Sequence, residues 1–185
     1  MILLKKKQKV NIIVLIYQDL GGMLMNQGVQ VIRGFRDLYN KMVFLNKIKM
    51  EERLKDYKSS EVHCIEYIGE NIDANVTKLA EYFFMTRGAM SKITKKLINK
   101  EIIESYQKAD NKKEIYFRLT SKGNDVYKIH ESLHKEFQER DRVVFDQVSE
   151  EQYNIMLDFI EKYGKHLDEE IKNQGIVITE ESDMK

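Results

Sequence analysis

Proline and tryptophan are missing from all 185 residues, and cysteine occurs once, at Cys64. A single thiol has no intramolecular partner, which excludes a disulfide-stapled secreted scaffold and leads to the expectation of a reducing, cytoplasmic setting. Long hydrophobic runs are missing too. The longest candidate, Asn11-Ile-Ile-Val-Leu-Ile-Tyr17, is far too short to span a bilayer. It follows Met1-Ile-Leu-Leu-Lys-Lys-Lys but is not followed by a small-residue cleavage site, so a signal peptide is not expected either. Neither sign of charge dominates. With a net charge of +1 the chain as a whole is not a non-specific polyanion binder. There is no internal repeat and no low-complexity tract, and 42% hydrophobic residues suffice for one substantial domain.

Lack of Pro and Trp, with abundant Lys, Ile, Asn and Tyr, suggests an A/T-rich bacterial coding sequence. Gly21-Gly22 can be encoded by a purine-rich stretch of the kind that serves as a ribosome-binding site, with methionines just downstream. The expectation is a natural start at Met25, or at Met23, with residues 1–24 a non-native or disordered extension.

The charge that matters is local. From Asn75 to Lys122 there are 11 Lys/Arg against 5 Asp/Glu, so the basic excess is concentrated in one quarter of the chain. Within it, Thr86-Arg-Gly-Ala-Met-Ser-Lys-Ile-Thr-Lys-Lys96 reads as a helix. Met90, Ile93 and Leu97 recur at three and four residues and share an inward stripe. Arg87, Gly88, Ser91, Lys92 and Lys95 fall on the opposite side. Lysine and arginine neutralise phosphates, and short side chains let a helix approach base edges in a major groove. The alternative is an ordinary solvated, lysine-rich helix.

The flanks favour the first reading. Val76 to Phe83 reads as a short helix capped by Thr77, with Leu79, Ala80 and Phe83 inward, and Thr86 caps the next helix after a very short turn. Two helices joined so tightly, the second basic, form a helix-turn-helix. Ile103–Lys108 and Glu114–Leu119 are rich in β-formers around the polar turn Ala109-Asp-Asn-Lys-Lys113, a hairpin with a basic tip. The expected fold is therefore mainly α with a small β-hairpin wing, a winged helix-turn-helix whose wing reaches the DNA backbone or minor groove.

These pieces, in this order, resemble the MarR family of winged-helix transcription regulators over roughly residues 28–172. The resemblance rests on Leu79-Ala80, Thr86-Arg87, Leu97, the hairpin, and Leu119-Thr-Ser-Lys-Gly123 opening a long helix. It implies a dimeric DNA-binding regulator and not an enzyme, with double-stranded DNA and a second copy as partners. The expected layout is a domain over 25–172, with a DNA-binding lobe at about 59–122, dimerisation helices at about 28–55 and 124–172, and a flexible acidic tail over 173–185. Apolar stripes support the terminal helices. One runs through Val31, Ile32, Phe35, Leu38, Tyr39, Met42, Val43 and Leu45, the other through Tyr153, Met156, Leu157, Ile160, Tyr163 and Leu167 after a Ser149–Gln152 capping box. A two-fold dimer would offer two recognition helices to successive major grooves and prefer an inverted repeat.

Where the family carries an Asp-x-Arg wing signature, this sequence has Asn111 and Lys113. Lys113 keeps the charge without the planar fork, and Asn111 cannot form the ion pair. The expected DNA contacts are Thr86, Arg87, Gly88, Ser91, Lys92 and Lys95 on the helix and Asn111, Lys112 and Lys113 on the wing.

Histidine is scarce, and two of the four lie in His130-Glu-Ser-Leu-His134. Imidazoles four apart on a helix can share one zinc ion, and H-E-x-x-H is the signature of zinc peptidases, so that reading is weighed. No catalytic domain surrounds the motif. The resemblance offers another use. In the zinc-responsive uptake repressors of the family, His63, His130 and His134 fall on metal-binding histidines, which implies zinc as a corepressor. That subgroup's fourth ligand, a glutamate of the first helix, corresponds to Leu45 here, with Glu51 or Glu52 nearby as substitutes, and Ile129 replaces an acidic ligand of its second site. Competing readings are a family member released by a small apolar or phenolic ligand, and histidines that only make ordinary hydrogen bonds. Cys64, inside the apolar run Val62–Ile68, reads as a core residue and not as an oxidant sensor.

Overall fold

A computed structural model describes residues 27–174 of the chain. The expected extension over 1–24, the start at Met25 and nearly all of the acidic tail lie outside these residues. In chain order the elements are α1 (Gln27–Arg53), α2 (Ser59–Glu70), β1 (Ala74–Asn75), α3 (Val76–Tyr82), α4 (Arg87–Asn99), β2 (Ile103–Tyr106), β3 (Tyr116–Leu119), α5 (Ser121–Phe145) and α6 (Glu150–Asn173). The fold is mainly helical with a small antiparallel sheet, as the sequence pattern led one to expect.

The chain divides after Lys47 into two units. In the first, residues 27–47 are helical, and Val31, Ile32, Phe35, Leu38, Met42 and Leu45 are all exposed. The second unit holds the core. Leu54, Cys64, Ile65, Ile68, Leu79, Met90, Leu97, Ile102, Phe117, Val126, Leu133 and Phe137 form one continuous buried cluster. Full burial of side chains such as Ile65, Leu97 and Leu133 stabilises the fold by roughly 1.5–3 kcal/mol each. α6 belongs to this unit, yet Met156, Leu157, Ile160 and Tyr163 on it remain exposed.

Short polar side chains start the helices by accepting otherwise unmatched amides. Thr86 Oγ1 accepts from Ala89 N at 3.2 Å, Thr120 Oγ1 from Gly123 N at 3.0 Å, and Ser149 forms the expected capping box with Gln152. For α3 the cap is Asn75, whose Oδ1 accepts from Lys78 N at 2.8 Å, and not Thr77. The shift has a cause. Ala74 and Asn75 pair with Phe117 and Tyr116, so a two-residue strand ends where the helix begins. On α4 the buried stripe is Met90, Thr94 and Leu97, with Ile93 only half-buried. Thr94 tolerates burial because its hydroxyl donates to Ser91 O at 3.2 Å.

The sheet order is β1-β3-β2, with Ile103 opposite Leu119 and Tyr106 opposite Tyr116. Both wing strands are shorter than the β-forming stretches suggest, and residues 107–115 form a longer tip. Where the wing returns to α5, Thr120 N donates to Ile102 O at 3.0 Å and Thr120 Oγ1 to Glu101 O at 2.7 Å. Gly123 lies against the same carbonyl. A Cβ there would come within 2.0 Å of Ile102 O, so only glycine fits.

Candidate DNA interface and histidine cluster

α3, the turn and α4 set the recognition element. The turn is closed by Met85 N donating to Ala80 O at 2.9 Å, and Phe84 within it takes a left-handed φ of 50°. Away from the core, α4 presents Gly88, Lys92 and Lys95 exposed, with Arg87 and Ser91 half-buried. Nothing lies within 4 Å of where a Cβ on Gly88 would stand, so packing within this chain does not demand glycine there. Thr86 stands at the edge of this surface with its hydroxyl engaged in the cap.

Lys96 on α4 and Lys100 at its C-terminal cap reach toward α2. Lys96 Nζ lies 2.6 Å from Glu61 Oε1 and Lys100 Nζ 2.9 Å from Glu61 Oε2, while the Glu61 backbone belongs to α2. Glu61 is 2% exposed. Burial alone would push its carboxyl up, but the bonds from Lys96 and Lys100 and the Lys58 amide outweigh it and hold the pKa at about 2. Lys96 of the recognition helix and Lys100 at its C-terminal cap thereby fix it to α2.

At the wing, Asp73 anchors the base of the tip. Its carboxylate accepts from Lys108 Nζ at 2.6 Å and from Tyr106 Oη at 3.0 Å. Asn111 is turned inward. Its Oδ1 accepts from Lys113 N at 3.1 Å and from Glu114 N at 3.3 Å, and its Nδ2 donates to Tyr116 Oη at 3.3 Å. The Lys112 and Lys113 side chains are exposed at the tip.

A second polar cluster fills the seam between α2 and α5. His130, 2% exposed, points its Nε2 at His134 Nε2 across 3.0 Å and its Nδ1 at Glu66 Oε1 across 3.5 Å. Glu66 Oε2 lies 3.4 Å from His63 Nδ1, and the His63 and His130 rings meet edge to face at 5.9 Å. His63, Glu66 and His130 offer ligand atoms that all lie within 4.8 Å of one another, and His134 Nε2 is 3.9 Å from Glu66 Oε1. Burial, foremost, pushes His130 down to about 4 against the pull of Glu66, with His134 and His63 adding to the depression. The ring is therefore neutral near pH 7 and keeps a lone pair for a cation. The cleft beside it, about 240 Å³, is lined by Glu66, Glu70, Tyr127, His130, Glu131 and His134.

Cys64 is fully buried and burial pushes its thiol up to about 12, which fits a core residue and leaves no reactive thiolate.

The chain is similar to the HTH-type transcriptional regulator PchR of Bacillus subtilis (strain 168), with 31% identity over a 148-residue alignment that covers 72% of this chain and 88% of the relative. The MarR family model matches residues 58–115, the span from α2 through the wing tip. The chain belongs to the MarR family. Two solved structures share its fold. Streptococcus pneumoniae FabT in complex with DNA superposes with a TM-score of 0.65 at 21% identity, covering 76% of this chain and 96% of that one. Staphylococcus aureus MarR in complex with salicylate and kanamycin gives 0.63 at 16% identity, covering 78% and 94%.

As a MarR family member the protein is a DNA-binding transcriptional regulator, and its relatives are named as regulators and not as enzymes. That removes the peptidase reading of His130-Glu-Ser-Leu-His134. The carboxylate among the histidines is Glu66. Sequence reasoning missed it because the family resemblance directed the search to Leu45, Glu51 and Glu52 on the first helix. The signal was present as His63-x-x-Glu66, a spacing that puts both side chains on one helix face. Asn111, expected at the DNA, also braces the wing turn that carries Lys112 and Lys113. No described helix is long and apolar enough to cross a membrane.

Proposed function

We propose that this MarR protein is a homodimeric repressor that binds an inverted repeat and whose DNA affinity is raised by zinc held at His63, His130 and His134. The observation that carries the reading is the convergence of these imidazoles at the α2–α5 seam, with His130 buried. Histidine nitrogens with a carboxylate suit zinc, which supplies the divalent charge that cross-links its ligands. His63 sits on α2, the helix that Glu61 joins to α4, and His130 and His134 sit on α5. Holding one ion between them fixes α2 against α5 and with it the placing of the recognition helix. The cleft is small and lined by carboxylates and imidazoles, which favours a cation there over an apolar or phenolic ligand.

Arg87, Ser91 and Lys92 are assigned to base edges or adjacent phosphates, Thr86 and Gly88 to close approach, and Lys95, Lys112 and Lys113 to the backbone. The exposed apolar stripes of α1 and α6 supply surface for a second copy. The test is footprinting of the gene's own upstream region together with the mass of the complex. Two chains protecting two half-sites about one helical turn apart support the reading. A single chain on one half-site refutes the dimer.

A further inference from the structure

The geometry assigns Glu66 as a fourth metal ligand, so that His63, Glu66, His130 and His134 form a three-nitrogen, one-oxygen site built from α2 and α5 alone. The inference rests on the zinc reading above and specifies its ligands. Its support is the placing of the carboxylate. One oxygen of Glu66 stands 3.5 Å from His130 Nδ1 and 3.9 Å from His134 Nε2, and the other 3.4 Å from His63 Nδ1. Tetrahedral zinc with bonds of about 2.0–2.1 Å separates its donors by roughly 3.3 Å. These spacings are near that value.

Charge points the same way. Glu66 is half-buried and its neighbours in the seam are imidazoles. No lysine or arginine is ion-paired to it among the described residues, whereas Glu61 on the same helix has two. Glu70 and Glu131 also line the cleft and add negative potential that favours a divalent cation. His130 has two nitrogens but can present only one to a given ion. Nδ1 is the nitrogen that faces Glu66, and it is the one assigned to the ion. A ligand set confined to α2 and α5 needs nothing from the first helix, where Leu45 offers no donor.

The test is zinc affinity of the full chain, measured by competition with a chromophoric chelator, and the absorption of its cobalt complex. Glu66→Gln should weaken zinc binding at least tenfold, and Glu66→Asp by less. Because a supporting residue can also lower affinity, Glu66→Cys with cobalt is the sharper variant. A new sulfur-to-cobalt charge-transfer band, absent from the parent in which Cys64 is buried, places position 66 in the coordination sphere. Parent-like affinity in Glu66→Gln, or no such band in a cobalt-loaded Glu66→Cys protein, overturns the assignment while loss of binding in His130→Ala still upholds the zinc reading. Absence of zinc binding by the parent overturns both.

Discussion

Glu61 and Lys96 stand 2.6 Å apart across the α2–α4 contact, with Lys100 closing the other side of the carboxylate at 2.9 Å. The recognition helix is therefore held by a buried anion on the helix that also carries His63 and Glu66. Breaking such a pair leaves charge uncompensated, so it acts as a position lock.

Glu61 gives a pH dependence with a definite sign. Its folded pKa of about 2 lies below the ordinary 4.5, so its stabilisation is complete above pH 4.5 and is lost as pH falls from there toward 2. Glu61→Gln should cost on the order of 3 kcal/mol at pH 7, and the difference from the parent should shrink on acidification through that window. Urea unfolding at a series of pH values measures it. A constant difference down to pH 2.5 would contradict the assignment.

Gly123→Ala should be strongly destabilising although alanine is the better helix former by about 1 kcal/mol. The added Cβ meets the Ile102 carbonyl at 2.0 Å, a backbone atom that is already an acceptor for Thr120. Relief requires moving the start of α5 off the wing, for which we expect a loss of at least about 3 kcal/mol. Thermal unfolding settles the sign.

Arg87 and Lys112 should separate by the kind of loss they produce. Arg87→Ala should cost about 1–3 kcal/mol on the operator and little on random DNA, whereas Lys112→Ala should weaken both and lower the salt slope by about one. Titrations at several salt concentrations distinguish them. Equal behaviour of both variants and the parent would remove α4 and the wing from the interface.

Asp73→Asn should loosen the wing without changing its charge at the tip. Lys108 loses its counter-charge and one of the two acceptor oxygens shared with Tyr106 becomes a donor, so amide exchange over residues 107–115 should accelerate. Operator binding should weaken with its salt slope retained, because Lys112 and Lys113 remain. Unaltered exchange would mean the strands alone hold the tip.

What could be read in the sequence follows from distance along the chain. Thr86, Met90 and Leu97 announce α4 because cap and stripe are local, and Ser149 announces α6 for the same reason. β1 is two residues long and shows no period, which is why Asn75 went unrecognised as the cap of α3. Asp73 and Lys108 are 35 residues apart, and Glu61 and Lys100 are 39 apart. No local pattern marks either pair. Asn111 has the polar character of a DNA contact, and only the folded tip shows that its side chain also holds the turn.

The most direct test of the account is operator affinity measured by fluorescence anisotropy while free zinc is buffered over a wide range, with a chelator control. The account predicts binding that tightens about tenfold or more as zinc rises, and His130→Ala protein that binds weakly and without that response. Operator binding that is equally tight with zinc and with chelator would contradict it.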